Sequence, residues 1–139
     1  MPFMAIADTA FVFAVLDRKD PHHVEALQFY NAIQGEVLLP TVALTEIAYH
    51  IYQLGGGRLV AEALAEIHQG PLTITDLDPP DYERVEEILR KYHDSRIDFV
   101  DASIMALAER LNIIRILTYD HRDFRLYRPS HCSAFEILP

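Results

Sequence analysis

Asp98 to Phe124 reads DFVDASIMALAERLNIIRILTYDHRDF, and the reading of this stretch decides the fold. Val100, Ile104, Leu107, Ala108 and Leu111 fall at i, i+4, i+7, i+8 and i+11, the stripe of an amphipathic helix. Asp98 stands where an N-cap belongs, and Asp101 follows it in the first turn. Asn112 suits the left-handed position just past the helix end. Ile113 to Leu117 is then a short run rich in β-branched residues, as a strand buried on both faces requires. Thr118, Asp120 and Asp123 come directly after it. A helix start and a strand end that both carry carboxylates can meet at one edge of a parallel sheet.

Outward from this stretch, strands and helices alternate. Phe3–Ala7 reads as a first strand with Asp8 at its end, followed by a short apolar helix, Thr9–Leu16. Asp20-Pro21 signals a second helix start, with Asp as cap and Pro at the first helical position, and the helix is expected over about His22–Gln34. Val37–Leu39 forms a second strand, stopped by Pro40. Thr41 opens a third helix with a core stripe of Ala43, Ile47, Ile51 and Leu54, ended by Gly55-Gly56-Gly57. A helix over Leu59–Gln69, a strand over Leu72–Thr75 and a helix from Asp78-Pro79-Pro80 to about Tyr92 lead back to Asp98. Ala134–Leu138 reads as a last, edge-like strand. With no linker, repeat or low-complexity tract, residues 1–139 are expected to form a single α/β domain with a mostly parallel sheet.

The bulk properties narrow the function. Half the residues are hydrophobic and no apolar run reaches the length of a membrane span, so no membrane association is expected. Met1 to Asp8 has no basic region ahead of its apolar residues and reads as strand, not as a signal peptide. The lone cysteine, Cys132, has no internal disulfide partner, which points to a reducing, cytoplasmic compartment. A net charge of −9 argues against nucleic-acid binding through a broad basic surface. A polyanionic substrate would need a local basic patch or bridging cations.

The acids are placed where such cations bind. In open α/β sheets ligands sit beyond the carboxyl ends of the strands. Asp8 follows strand one, Glu46 lies early in the helix after strand two, Asp98 and Asp101 open a helix, and Thr118, Asp120 and Asp123 follow strand four. Taken singly, Asp98 is explained as a cap, Asp101 by the helix dipole, and Asp120 with Asp123 by a turn. Together they would repel one another unless a cation intervened. An all-oxygen donor set selects Mg²⁺ or Mn²⁺ over zinc or copper, with Thr9 and Thr118 available to orient ligands or water.

Ala7-Asp8-Thr9, Thr45-Glu46-Ile47, Asp98-Phe99-Val100-Asp101-Ala102, and Leu117-Thr118-Tyr119-Asp120 running to Asp123-Phe124 occur in this order across essentially the whole chain. In these motifs the sequence resembles the PIN-domain ribonucleases, and in particular the VapC-type toxins of toxin–antitoxin pairs. The resemblance implies a three-layer α/β/α sandwich around a parallel sheet of about five strands. It implies a Mg²⁺- or Mn²⁺-dependent endoribonuclease whose acidic quartet, serving both metal binding and catalysis, falls on Asp8, Glu46, Asp101 and Asp120. Thr9, Asp98, Thr118 and Asp123 would be supporting neighbours. A homodimer and a cognate antitoxin that blocks the site are also implied. The alternative is a PIN-like module that binds protein or RNA without significant cleavage.

RNA contact needs cations and stacking surfaces. Arg115, Arg122, Arg125 and Arg128 follow or flank strand four with His121 and Tyr127 among them, and Arg96 precedes the acidic helix. Arg96, Arg122 and Arg125 are the candidate RNA contacts; pairing with surplus surface acids is the competing use. Two other Asp-after-strand folds fit less well. A dehalogenase-type phosphatase requires an acid where Ala10 stands, and a receiver domain using Asp8, Asp76 and Thr118 lacks its acidic pair and its lysine.

Overall fold

The computed structural model describes residues 3–139; Met1 and Pro2 of the leading stretch lie outside the described residues. The chain runs β1 (Phe3–Ala7), α1 (Thr9–Leu16), α2 (His23–Asn31), β2 (Gly35–Pro40), α3 (Thr41–Gln69) and β3 (Leu72–Thr75). It continues through α4 (Pro79–Lys91), α5 (Phe99–Leu111), β4 (Arg115–Leu117), α6 (His121–Leu126) and β5 (Glu136–Leu138). The five strands form one sheet in the order β3-β2-β1-β4-β5, and every pairing is parallel. β1 is central, so Asp8 leaves the middle of the sheet at its carboxyl edge.

Strand alternation separates two cores. Ile6, Leu38 and Ile116 face a layer built from α4, α5 and the α6 region, where Ile88, Ile104, Leu107 and Phe124 are fully covered. Ala5, Ala7, Val37, Leu39 and Leu117 face α1, α2 and α3, with Phe11, Ile47 and Ile67. The result is the expected α/β/α sandwich. α5 is covered on more than its stripe: Asp101 through Ala108 are all buried, because the helix is packed between the sheet and α4.

Several boundaries differ from the sequence reading for identifiable reasons. Asn112 takes the left-handed conformation (φ 55°, ψ 44°), and the Ile113 N–H reaches back to the Ala108 carbonyl, so Ile113 forms the helix exit; the Ile114 carbonyl accepts from the Glu136 N–H, and β4 itself begins at Arg115. The last strand begins at Glu136, not Ala134. Asp20 caps a turn: its carboxylate accepts from the His22 N–H, and α2 starts at His23. The glycine triplet does break the long helix. Gly55 and Gly56 leave helical geometry inside α3, and Gly56 lies at φ 71°, ψ −169°, a region that a side chain disfavours. Leu54, expected in the core stripe, is 63% exposed at this break. Tyr49 and Tyr52, earlier on the same helix, also face solvent.

The direction of α4 determines how the chain reaches the acidic helix. Arg110 in the last turn of α5 pairs with Asp78 (3.1 Å) and Asp81 (2.8 Å) at the start of α4. The two helices are therefore antiparallel. α4 itself carries the chain back toward the carboxyl edge, and the loop before Asp98 has only to turn. Among the described residues no helix is long and apolar enough to cross a membrane.

Candidate active site

The site begins with Thr118, fully buried at the end of β4. Its N–H continues the sheet ladder to the Leu138 carbonyl. Its hydroxyl donates to Asp8 Oδ2 (2.8 Å) and accepts from the Asp120 N–H (2.9 Å). One hydroxyl thus fixes the carboxylate after β1 relative to the backbone after β4. Asp8 Oδ1 accepts from the Thr9 N–H at 2.7 Å. Asp8 is thereby held by two bonds at the N-terminus of α1 while only 5% exposed.

The third contributor is the start of α5. Asp98 Oδ1 accepts from the Asp101 N–H (2.9 Å), and Asp101 Oδ2 accepts from the Asp98 N–H (3.2 Å), a reciprocal capping box. The box turns Asp101 inward and leaves Asp98 exposed. α6, which the sequence reading took for a turn, contributes buried Asp123. Asp101, Asp120 and Asp123 each offer a carboxylate oxygen, and these three atoms lie within 4.8 Å of one another. Asp8 and Glu46 line the same cleft, of about 710 Å³, with Thr9, Asp98, Arg96 and Arg122.

Burial and mutual repulsion shape the titration of these acids. Burial, outweighing the bonds from Thr118 and Thr9 and assisted by Asp120 and Glu46, pushes Asp8 up to about 6. Burial together with the negative charge of Asp98 and Asp8 pushes Asp101 up to about 8. Asp123 is raised by burial and by Asp120, against the opposing pull of Arg122 and Arg96. Asp123 Oδ1 and Thr9 Oγ1 are buried without a hydrogen-bond partner among the described residues. Three carboxylate oxygens this close, in a site where one oxygen of Asp123 lacks a partner, are the donor set a hard divalent cation takes, and the residues present fit Mg²⁺ or Mn²⁺.

The PIN domain family model matches residues 5–128. The chain belongs to the PIN domain family. Among curated proteins, the PIN sequence is 26% identical over 134 residues to Ribonuclease VapC26 of Mycobacterium tuberculosis, covering 96% of this chain and 99% of that one. Among solved structures, it superposes on Mycobacterium tuberculosis VapC20, described as a sarcin-ricin loop cleaving toxin, with a TM-score of 0.76 at 20% identity over 84% of this chain and 90% of that one. VapBC2 of Rickettsia felis, bound to a DNA fragment from its promoter, matches with a TM-score of 0.72 at 14% identity over 99% and 100% of the two chains. At these identities the superpositions establish the PIN fold.

Not every residue singled out in the sequence reaches the PIN cleft. Arg115 lies at the opposite end of β4, pairs with Glu136 (3.2 Å) and sits over the Phe3 ring. Arg125 is exposed but does not line the cleft; its carbonyl accepts from Arg128. Tyr127, expected as a stacking surface, is 1% exposed, and its hydroxyl donates to Glu109 at 2.7 Å. In its place the cleft gains Phe13, Asp20, His22, His50 and Tyr119. Asp20 and His22 were assigned to a helix start. Tyr119 could have been found from its position between Thr118 and Asp120, on the chain segment that leaves the sheet edge.

Proposed function

We propose that this PIN protein is a divalent-metal-dependent endoribonuclease and the toxin of a toxin–antitoxin pair. The carrying observation is the convergence of Asp101, Asp120 and Asp123 within 4.8 Å beside buried Asp8, at the carboxyl edge of the sheet. VapC26 is a ribonuclease by name and VapC20 a sarcin-ricin loop cleaving toxin by description, which supports the same chemistry here.

Asp8, Glu46, Asp101 and Asp120 would serve as the metal-binding and catalytic acids, joined by Asp123 because it supplies a carboxylate oxygen to the trio with Asp101 and Asp120. A bound Mg²⁺ or Mn²⁺ supplies Lewis acidity toward a phosphoryl oxygen and activates water near neutral pH. The protein's own contribution is positional. Thr118 holds Asp8 and the Asp120 backbone together, and the capping box orients Asp101. Exposed Arg96 and Arg122 beside Asp123 would anchor flanking phosphates of the RNA. Glu46, half-buried on α3, closes the cleft from the other layer.

A cognate antitoxin, homodimerisation and a cytoplasmic location complete the proposal; the antitoxin is supported by the likeness in fold to a toxin–antitoxin complex from Klebsiella pneumoniae. The test is cleavage of single-stranded RNA in Mg²⁺ or Mn²⁺, abolished by EDTA and by Asp8→Asn or Asp120→Asn in variants that remain folded by circular dichroism. Full cleavage by either variant would refute the site. Uncut RNA under both metals, combined with RNA or protein binding, would assign the chain to the non-cleaving PIN modules.

A further inference from the structure

The cleft carries an aromatic feature that the acidic site does not use. The rings of His22 and Tyr119 are stacked nearly parallel, with centroids 4.0 Å apart and planes 10° from each other, and both line the acid-bearing cleft. Tyr119 is anchored: its ring packs against the core of the α1–α3 layer, and its hydroxyl donates to Glu25 at 2.9 Å. It directly precedes Asp120. His22 is exposed and lies on the tyrosine, immediately before α2. A parallel pair with one ring fixed from beneath and the other open to the cleft is a preorganised stacking surface, and little side-chain entropy remains to be lost on binding.

We propose that the His22–Tyr119 pair stacks a nucleobase of single-stranded RNA adjacent to the scissile phosphate. This rests on the ribonuclease reading of the acidic site. Every base has a flat π-face, so such a platform holds a strand without reading its sequence, while Arg96 and Arg122 hold phosphates in the same cleft. The platform and the acids are tied together through the chain: the step from Tyr119 to Asp120 fixes how far a stacked base lies from the metal-binding carboxylates. The site thereby favours unpaired RNA, whose bases can leave their own stack, over duplex.

The experiment uses a 12-nucleotide single-stranded RNA centred on a cleavage site mapped in bacteriophage genomic RNA, and the full-length protein. Binding is measured in the Asp8→Asn background, and turnover in the otherwise native chain. His22→Ala is expected to weaken binding about tenfold and to raise KM with kcat nearly unchanged. His22→Phe, which keeps a flat ring, is expected to restore both. An abasic nucleotide scanned along the RNA should erase the difference between native protein and His22→Ala at one position next to the cut. If the native chain binds and cleaves this RNA but His22→Ala matches it, or if its loss persists with every abasic RNA, the stacking proposal is overturned and the ribonuclease reading stands. If no RNA is cut or bound by the native chain, both fall.

Discussion

Asp101→Asn should make the protein more stable in EDTA while destroying the proposed metal site. The folded protein holds Asp101 at about 8, against 3.8 for an unperturbed aspartate, because the carboxyl is buried and faces Asp98 and Asp8. The sign follows from proton counts. Below pH 4 both states are protonated and the group contributes nothing. Between pH 4 and 8 the unfolded chain has released a proton that the folded chain retains, so stability falls as pH rises. By pH 7 the loss is on the order of 4 kcal/mol, taking about 1.36 kcal/mol per pH unit. Asparagine does not titrate, and its amide oxygen can still accept from the Asp98 N–H as Asp101 Oδ2 does. Burying the amide costs about 2 kcal/mol. The net gain at pH 7 is about 2 kcal/mol, or roughly 7 °C in Tm for a chain of this size.

The assay is thermal unfolding by circular dichroism in EDTA at pH 7 and pH 5. The variant should melt higher at pH 7, and its advantage should disappear near pH 5, where the remaining proton-linked cost of about 1.6 kcal/mol no longer exceeds the cost of burying the amide. Adding Mn²⁺ should raise the Tm of the native chain and not that of the variant, reversing their order. A variant that is no more stable in EDTA at pH 7, or an advantage independent of pH, would refute the claim that repulsion and desolvation dominate at Asp101.

Further outcomes follow from other parts of the structure. Thr118→Val removes the bond to Asp8 and the acceptor for the Asp120 N–H; it should lower stability by about 2 kcal/mol in urea titrations and reduce RNA cleavage at least tenfold. Mn²⁺ affinity measured by calorimetry should rise between pH 6 and 8, because the acids must release protons to bind, with Asp8 at about 6 and Asp101 at about 8. Arg84→Met should cost about 2 kcal/mol at pH 7, since it strips a partner from buried Glu109 although Arg84 itself is one-third exposed. Burial opposes ionisation of Glu109, but bonds from Arg84, Tyr127 and Ser130 outweigh it and hold the group at about 2; its stabilising effect is present above about pH 4.5 and fades toward pH 2, so the variant's deficit should shrink in acid. Gly56→Ala should lose about 2 kcal/mol to backbone strain alone, because nothing lies within 4 Å of the added methyl group.

The fold was legible wherever periodicity and punctuation agreed. β1, β3 and the α5 capping residue were placed correctly because a short apolar strand or an Asp-x-x-Asp start leaves little choice. The short ends were not legible. Ile113 looks like strand, yet the left-handed Asn112 commits it to closing the helix, a decision made by backbone geometry and not by hydrophobicity. α6 is six residues long and too brief to show a period. The sequence therefore presented Asp123 as a turn residue, and only the fold brings it into the tightest carboxylate trio. The direction of α4 depended on Arg110 meeting Asp78 and Asp81, a contact 29 residues apart along the chain for Asp81 that no local pattern encodes. For the same reason the cleft's aromatic pair went unread: His22 and Tyr119 are close only after the sheet has formed.

The two ends of α5 show how a destabilising site is tolerated. At its N-terminus, Asp98 and Asp101 satisfy each other's backbone N–H groups, yet this favourable capping geometry forces Asp101 into a buried cluster of like charge. At its C-terminus, Arg110 joins Asp78 and Asp81, while Glu109 gathers Arg84, Tyr127 and the Ser130 N–H. There every acid has a cation, and the helix dipole favours the basic residue. The helix is therefore anchored by its far end, against α4, and holds its acidic end in place without relying on a cation for its position. The carboxylate cluster is thus carried on a helix whose rigid support lies a helix length away. Exchanging the charges of Arg110 and Asp81 tests this directly: the pair is retained in reverse, but the dipole then opposes it. The exchange also removes Asp81's bond to the Asp78 N–H and sets an acid at position 110 against Asp78, so it should lower stability by about 3 kcal/mol while leaving the Mn²⁺ affinity of the folded protein within a factor of two. A large loss of metal affinity in a folded exchange variant would show that the two ends are mechanically coupled and not merely joined.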